Sequence, residues 1–289
     1  MSGYKTFTVA GAGNIGQLIV EELLKFKSPG GVSSVTVLTR NGGYSNLAEQ
    51  GAKIVTVDYS SPSSLISALE GTDVVISTLK NDGLVDPQNA LAEAAKQANA
   101  KLFVPSEFGN PTEGRTGGIW GAKNQLHRKL EEMAVPYALF YTGAFADWFF
   151  NPDLGWDFAR GKVFIRGDGD TPISFTHRRD IGRFVAYVLT HLPPSQLEWK
   201  AFRIEGDRKS WNEILEKYQS QTGESLQVTR QSRAQLREVV QKNPDDHVSL
   251  MHLELDEGHG VVGKPEELSN KLYPEFNPSD VVHSILEGR

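Results

Sequence analysis

Thr8-Val9-Ala10-Gly11-Ala12-Gly13-Asn14-Ile15-Gly16 decides how the rest of the chain is read. Phe7 and Val9 belong to a short apolar strand that stops at Gly11, and Ile15, Leu18, Ile19 and Leu23 start the apolar face of a helix. Glycines at 11, 13 and 16 in this strand-to-helix turn match the dinucleotide fingerprint. The first permits the tight turn, the second lets backbone approach a pyrophosphate, and the third lets helix pack closely on strand. Amides around Asn14 and Ile15, at the positive end of the helix dipole, then favour an anion. A glycine-rich loop alone is a weak sign, but here it follows a strand and opens a helix. Cofactor binding is therefore expected at Gly11, Gly13, Asn14, Ile15 and Gly16.

The next strand, with Val35, Val37 and Leu38, ends at Thr39-Arg40-Asn41-Gly42-Gly43. An NAD site of this type places an acid about 20 residues past the glycines, on the ribose 2′-hydroxyl. No acid occurs between Glu22 and Glu49, and Arg40 stands where it would be. A guanidinium suits a 2′-phosphate, so NADPH is the expected cofactor. The competing reading is a solvated arginine at a strand end.

The chain of 289 residues has 39% hydrophobic content, enough for a sizeable core. Its net charge of −6 argues against nucleic acid or an anionic membrane as the main partner. With no cysteine, disulfides, thiol catalysis and zinc–thiolate sites are excluded together. The first residues lack an apolar signal segment, and no apolar run approaches about 20 residues. A cytoplasmic protein, monomer or homodimer, acting on a small molecule is expected.

Strand-like and helix-like segments alternate over the first 145 residues or so. Ile54–Val57, Asp73–Thr78, Leu102–Val104 and Pro136–Tyr141 read as strands, and Ser61-Pro62, Asp86-Pro87 and Ile119 open helices. This is the pattern of an α/β, Rossmann-like, doubly wound parallel sheet. Residues 1–150 form the expected nucleotide-binding domain, with 176–205 returning to it through Ala201–Ile204. Residues 151–175 and 206–289 form a smaller, mainly carboxy-terminal substrate-binding element, largely helical in its last part. Residues 109–118 read as a flexible connection at the mouth of a site, and Ser210-Trp211-Asn212-Glu213 as a capping box.

Several of these segments together resemble the NmrA-like, isoflavone-reductase-like branch of the atypical short-chain dehydrogenase/reductases, which includes phenylcoumaran benzylic ether reductases. The resemblance rests on GAGNIG at 11–16, DVVIST at 73–78, FVPSEFGN at 103–110, FADWFF at 145–150, GDG at 167–169 and DIGRF at 180–184. Many plant relatives carry GxTGxxG or GxxGxxG where this chain has Ala12-Gly13. The wider superfamily uses a Tyr-x-x-x-Lys pair, but Ile119 stands four residues before Lys123. In this branch the lysine alone is kept, so the resemblance implies that Lys123 holds the nicotinamide ribose or exchanges a proton with substrate. A solvated helix lysine is the plainer alternative. The resemblance implies an NADPH-dependent reductase of a small aromatic or conjugated substrate; the alternative is an NADP(H)-binding redox sensor without turnover.

Further candidates lie around these landmarks. Thr78, Leu79 and Lys80 follow the fourth strand and are expected under the adenosine ribose or phosphates. Pro105, Ser106, Glu107 and Phe108 lie past a strand's carboxyl end, where open α/β sheets place ligands. The resemblance puts that loop beside nicotinamide and substrate, with Glu107 as readily structural. Eight aromatics fall between Phe140 and Phe158, far above the chain's 9% average. Tyr141, Phe145, Trp148 and Phe149 are candidates for a pocket wall beside Phe108, the others for packing. His177 is a candidate substrate contact ahead of a helix capped by Asp180. His252-Leu253-Glu254-Leu255-Asp256-Glu257-Gly258-His259 reads as a solvated acidic helix end rather than a metal site, and no metal is expected.

Overall fold

The computed structural model describes residues 3–80 and 84–287. Its first half runs β1 (Thr6–Ala10), α1 (Gly16–Lys25), β2 (Ser34–Thr39), α2 (Ser45–Glu49), β3 (Lys53–Thr56), α3 (Pro62–Leu69), β4 (Val74–Ser77), α4 (Asp86–Gln97), β5 (Leu102–Val104), α5 (Gly118–Glu132) and β6 (Ala138–Tyr141). Strands β3-β2-β1-β4-β5 form one parallel sheet in that order. Phe103 bridges to Tyr137, which brings β6 alongside β5, and β6 pairs in parallel with β11 (Lys200–Arg203). The expected return of 201–204 to the sheet is thus present.

Strand alternation divides the apolar side chains between two faces. Val9, Val37, Val74, Ile76, Leu102 and Val104 pack with Ile19, Phe184 and Val188 on one side. Ala10, Leu38, Val75 and Phe103 pack with Leu65, Leu91, Leu126 and Leu130 on the other. Two buried faces explain why β4 reads as an unbroken apolar run. Gly182, inside DIGRF, serves this packing: a Cβ there would press on Leu18 O at 3.0 Å, so the glycine lets its helix close on α1.

The remaining elements are β7 (Ala144–Phe145), β8 (Trp156–Asp157), β9 (Lys162–Arg166), β10 (Ile173–Thr176), α6 (Arg178–His191), α7 (Pro194–Leu197), β12 (Asp207–Lys209), α8 (Trp211–Thr222), β13 (Gln227–Gln231), α9 (Arg233–Lys242), α10 (His247–Glu254) and α11 (Val281–Glu287). Of these, α6 and α7 pack on the sheet core through Phe184, Val188 and Leu197, while β8, β9, β10, α8 and α11 contribute to a separate apolar cluster that includes Phe149, Trp156, Phe158, Phe175, Trp211 and Tyr218. The capping box of α8 forms as expected. Two expectations need correction. The cap of α6 is His177, whose ring accepts from Arg179 N, while Asp180 lies inside the first turn, buried, pairing with Arg183 and accepting from Ser279 N. The tail is also less helical than its sequence suggests: β13 pairs in parallel with β9. Its QVTRQ sequence is largely exposed and gives no apolar signal. Among the described residues no helix is long and apolar enough to cross a membrane.

Candidate active site

A cleft of about 1080 Å³ runs across the carboxyl ends of the parallel strands. Its floor is the turn between β1 and α1, where the strand order reverses and an open α/β sheet leaves a crevice. Gly11 adopts φ +86°, a left-handed conformation that favours glycine. Thr78 Oγ1 pins the turn by donating to Gly11 O at 2.5 Å and Ala10 O at 3.2 Å. A Cβ at Gly16 would strike Gly11 O and Thr78 Oγ1, so that glycine is demanded by the protein's own packing. Gly13 differs: its φ is not positive, and a Cβ there would meet nothing within 4 Å. Neither fold nor packing accounts for it, and it borders the cleft. The amino end of α1 has no capping side chain and no acid, and its backbone ladder begins with Gln17 N on Gly13 O and Ile19 N on Ile15 O, which leaves the amides around Asn14 and Ile15 to an anion.

Arg40 is exposed at the end of β2, on the cleft wall, near the charge-sensitive hydroxyl of Tyr59. Burial pushes that phenol up to about 12, with the Arg40 charge drawing it back in part. The Tyr59 hydroxyl is shielded from solvent and has no hydrogen-bond partner. Tyr44, Asp58 and Ser60 share this end of the cleft. None was singled out from sequence, although the rule that ligands gather past strand ends pointed to the loop after β3.

Across the reversal point, Leu79, Lys80, Ser106, Phe108, Lys123 and Phe145 line the opposite end. Ser106 Oγ donates to Leu79 O at 2.8 Å, tying the loops after β4 and β5 together, and Ser106 N donates to Gln88 of α4 at 2.7 Å. Phe108 holds φ +21°, uncommon for a bulky residue, while its ring stacks on Phe140 at 6.2 Å. Lys123 Nζ donates to Glu107 O at 3.1 Å and lies 3.6 Å from Glu107 Oε2. Glu107 is only 3% exposed. Its other oxygen lies 2.9 Å from His127 Nε2, one helical turn beyond Lys123. Sequence reading left Glu107 undecided and did not mention His127; the four-residue step from Lys123 to His127 was the available signal.

The cleft thus gathers Gly11, Gly13, Asn14, Ile15, Arg40, Thr78, Leu79, Lys80, Ser106, Phe108, Lys123 and Phe145. Gly16 lies beneath the turn, and Pro105 is buried behind the loop that it starts. Four expected substrate contacts are not brought to it. Alternation along β6 turns Tyr141 to the face holding Leu139 and Val262, where its hydroxyl lies 3.4 Å from Thr112 Oγ1. Phe149 stacks on Trp211 at 5.1 Å in the second core. Trp148 is 45% exposed outside the cleft lining. His177 is occupied at the start of α6, 3.7 Å from Asp147. Of the named aromatic wall, Phe108 and Phe145 remain.

The expected solvated acidic helix end is also corrected. His252 is 1% exposed, wedged edge-on against Phe149 at 5.5 Å, and Asp256 is 2% exposed. Asp256 accepts from Asp168 N at 2.9 Å and pairs with Arg233 at 2.5 Å. This clasps the GDG turn, where a Cβ at Gly167 would collide with the carboxylate. The motif is structural here.

A model of the NmrA-like family matches residues 4–280. A phenylcoumaran benzylic ether reductase, Pyrc5 of Pyrus communis, is 27% identical over 282 residues, covering 93% of this chain and 89% of the relative. A binary complex of leucoanthocyanidin reductase with NADPH from Vitis vinifera superposes with a TM-score of 0.82 at 22% identity, covering 98% of this chain and 99% of that one. The structure of AtPrR2 with NADP+ and (+)-pinoresinol superposes with a TM-score of 0.82 at 20% identity, over 100% of both chains. Both likenesses show a shared fold along the whole chain.

Proposed function

The chain belongs to the NmrA-like family, and on that premise we propose that it is an NADP(H)-dependent, isoflavone-reductase-like oxidoreductase acting on a small aromatic or conjugated molecule. The observation that carries this reading is Gly13: a glycine with no conformational or packing need, opening onto the cleft at an uncapped helix terminus. A pyrophosphate against that backbone supplies the missing reason. Two further observations fit the same group. The partnerless hydroxyl of Tyr59 and the guanidinium of Arg40 share the end of the cleft that a 2′-phosphate would reach. The cleft volume of about 1080 Å³ exceeds what one drug-sized ligand needs, leaving room for a second small molecule. The named relatives, a phenylcoumaran benzylic ether reductase and an NADPH-bound leucoanthocyanidin reductase, support the same activity.

In this reading the amides around Asn14 and Ile15 bind the pyrophosphate, Arg40 holds the 2′-phosphate, and Thr78, Leu79 and Lys80 border the phosphates. When bound, NADPH supplies the hydride, from nicotinamide C4 to an electrophilic carbon. Lys123, fixed by Glu107, holds its ammonium on the cleft wall and gives a proton to the substrate atom that gains negative charge. Phe108 and Phe145 form the apolar wall that orients a flat substrate, and proximity supplies much of the rate. No described residue of 151–175 or 206–289 lines the cleft; those segments contribute to the second core instead, so the substrate wall proposed here is that of Phe108 and Phe145.

The test is NADPH consumption by the full chain across phenylpropanoid ethers, enones and quinones. Turnover of at least one class, lost in Lys123→Met with cofactor binding retained, supports the reading. Tight NADPH binding with no turnover anywhere would replace it with a redox sensor.

A further inference from the structure

We propose that the proton Lys123 gives up is returned to it through Glu107 and His127 from a second cavity, lined in part by α5. The inference rests on the reading of Lys123 as the proton donor and extends it to two positioning residues that relay its proton. A substrate stacked on Phe108 and Phe145 would shut Lys123 off from water in the cleft, since its side chain is already only 14% exposed. A closed site therefore needs another way for the amine to regain its charge between turnovers.

The geometry supplies one. The Glu107 carboxylate is 1% exposed and stands between two nitrogens on one face of α5. Its Oε2 lies 3.6 Å from Lys123 Nζ and accepts from Thr112 Oγ1 at 3.3 Å, while its Oε1 lies 2.9 Å from His127 Nε2. Glu107 and Lys123 line the cleft; His127 does not, but it lines a separate cavity of about 410 Å³. Charged groups line that cavity: Glu113 and Arg115 face it from the loop before α5, Arg128 and Glu131 from α5 itself, and Lys200 from β11. Tyr137, stacked on the His127 ring at 5.7 Å, and Trp199 complete its wall. Behind Glu107 the Tyr141 hydroxyl lies beyond Thr112. The salt link between Arg203 and Glu113 and that between Arg115 and Glu254 hold the loop in place. A buried carboxylate with one imidazole and one ammonium partner is costly to build for stability alone.

Lys123 passes a proton from Nζ to the reduced substrate and becomes a neutral amine. His127 takes a proton on Nδ1 from water in the second cavity as it gives the one on Nε2 to Glu107 Oε1. Rotation of the carboxyl about Cγ–Cδ presents that proton to Lys123 Nζ, restoring ammonium and carboxylate. The ring is then left with its proton on Nδ1, and tautomerisation through water of the second cavity resets it to Nε2–H before the next turnover. The sum is one proton from solvent for each one transferred to substrate, with no redox change in the protein.

The test compares three variants of the full chain with a quinone or enone that the wild type reduces. His127→Gln keeps a donor to Glu107 but cannot relay, so turnover should fall at least about tenfold, within the usual range for general acid–base steps. His127→Ala should lose as much, recover on addition of imidazole small enough for the second cavity, and bind NADPH within about twofold of wild type; Lys123→Met should not recover with imidazole. Full turnover and an unchanged pH profile in His127→Gln, or no recovery of His127→Ala with imidazole, would overturn the relay. Should the wild type reduce nothing, the functional reading fails and the relay that serves it falls with it, whereas turnover in the wild type with full activity in His127→Gln overturns the relay alone.

Discussion

Exchanging Gly13 for alanine separates what the fold needs from what the ligand needs. The new methyl group meets no protein atom within 4 Å, and the residue's φ is one that alanine accepts. By itself such a change restricts the unfolded chain and stabilises the protein by about 0.4–1 kcal/mol. For a chain of this size that is a rise in Tm of roughly 1–4 °C. The methyl group would instead occupy the space where a pyrophosphate approaches the main chain. A loss of only about 1.4 kcal/mol there weakens binding tenfold. Gly13→Ala should therefore melt at or above the wild-type temperature, yet bind NADPH at least about tenfold more weakly. Gly16→Ala is the internal control. Its Cβ would collide with Gly11 O and the Thr78 hydroxyl, forcing a backbone shift of the kind that costs about 1–3 kcal/mol. It should lose both stability and binding. Differential scanning fluorimetry with a parallel fluorescence titration reads both quantities. Wild-type NADPH affinity in Gly13→Ala would refute the assignment of the turn, whatever its stability.

Arg40→Ala should weaken NADPH by about tenfold to a hundredfold, the worth of a charge-assisted hydrogen bond of about 1.5–3 kcal/mol, and leave NADH unchanged; equal loss for both would show that Arg40 does not meet a 2′-phosphate. Trp211→Ala, deep in the second core, should cost about 3–5 kcal/mol of stability while the NADPH dissociation constant of the folded fraction holds, measured by melting and titration. His252 carries a pH dependence: burial, with Arg166 adding to it, pushes its pKa from 6.5 down to about 3. The folded chain thus binds fewer protons than the unfolded one, so this contribution is complete above pH 6.5 and declines as pH falls towards 3, with about 2 kcal/mol gone by pH 5. His252→Leu should lose much less Tm between pH 7 and pH 5 than wild type does; an unchanged slope would contradict it.

Local signals carried much of this architecture. The strand-turn-helix at Gly11–Gly16 and the caps at Ser61 and Ser210 depend on neighbours in sequence, and all read correctly as structure. The misplaced residues depend on distant partners. Which face of β6 Tyr141 occupies is set by the sheet and by Val262, over a hundred residues later, and composition could not separate it from Phe140. Phe149 and Phe150 belong to the second core because Trp211, over sixty residues later, completes it. His252 and Asp256 looked solvated because their neighbours are acidic, yet Arg233 and the GDG turn bury the carboxylate. The Lys123–Glu107–His127 set escaped for a related reason: the helix face was legible, but the carboxylate that bridges it arrives from the loop after β5. The β13 strand stayed hidden because it buries too little apolar surface to show a period.

The most direct measurement is a fluorescence titration of the purified full chain with NADPH and with NADH. Saturable binding of one NADPH per chain, with NADH at least about tenfold weaker and displaced by NADPH, is the predicted result. No saturable uptake of either nucleotide, or equal affinity for both, would contradict the account of the amino-terminal turn and Arg40.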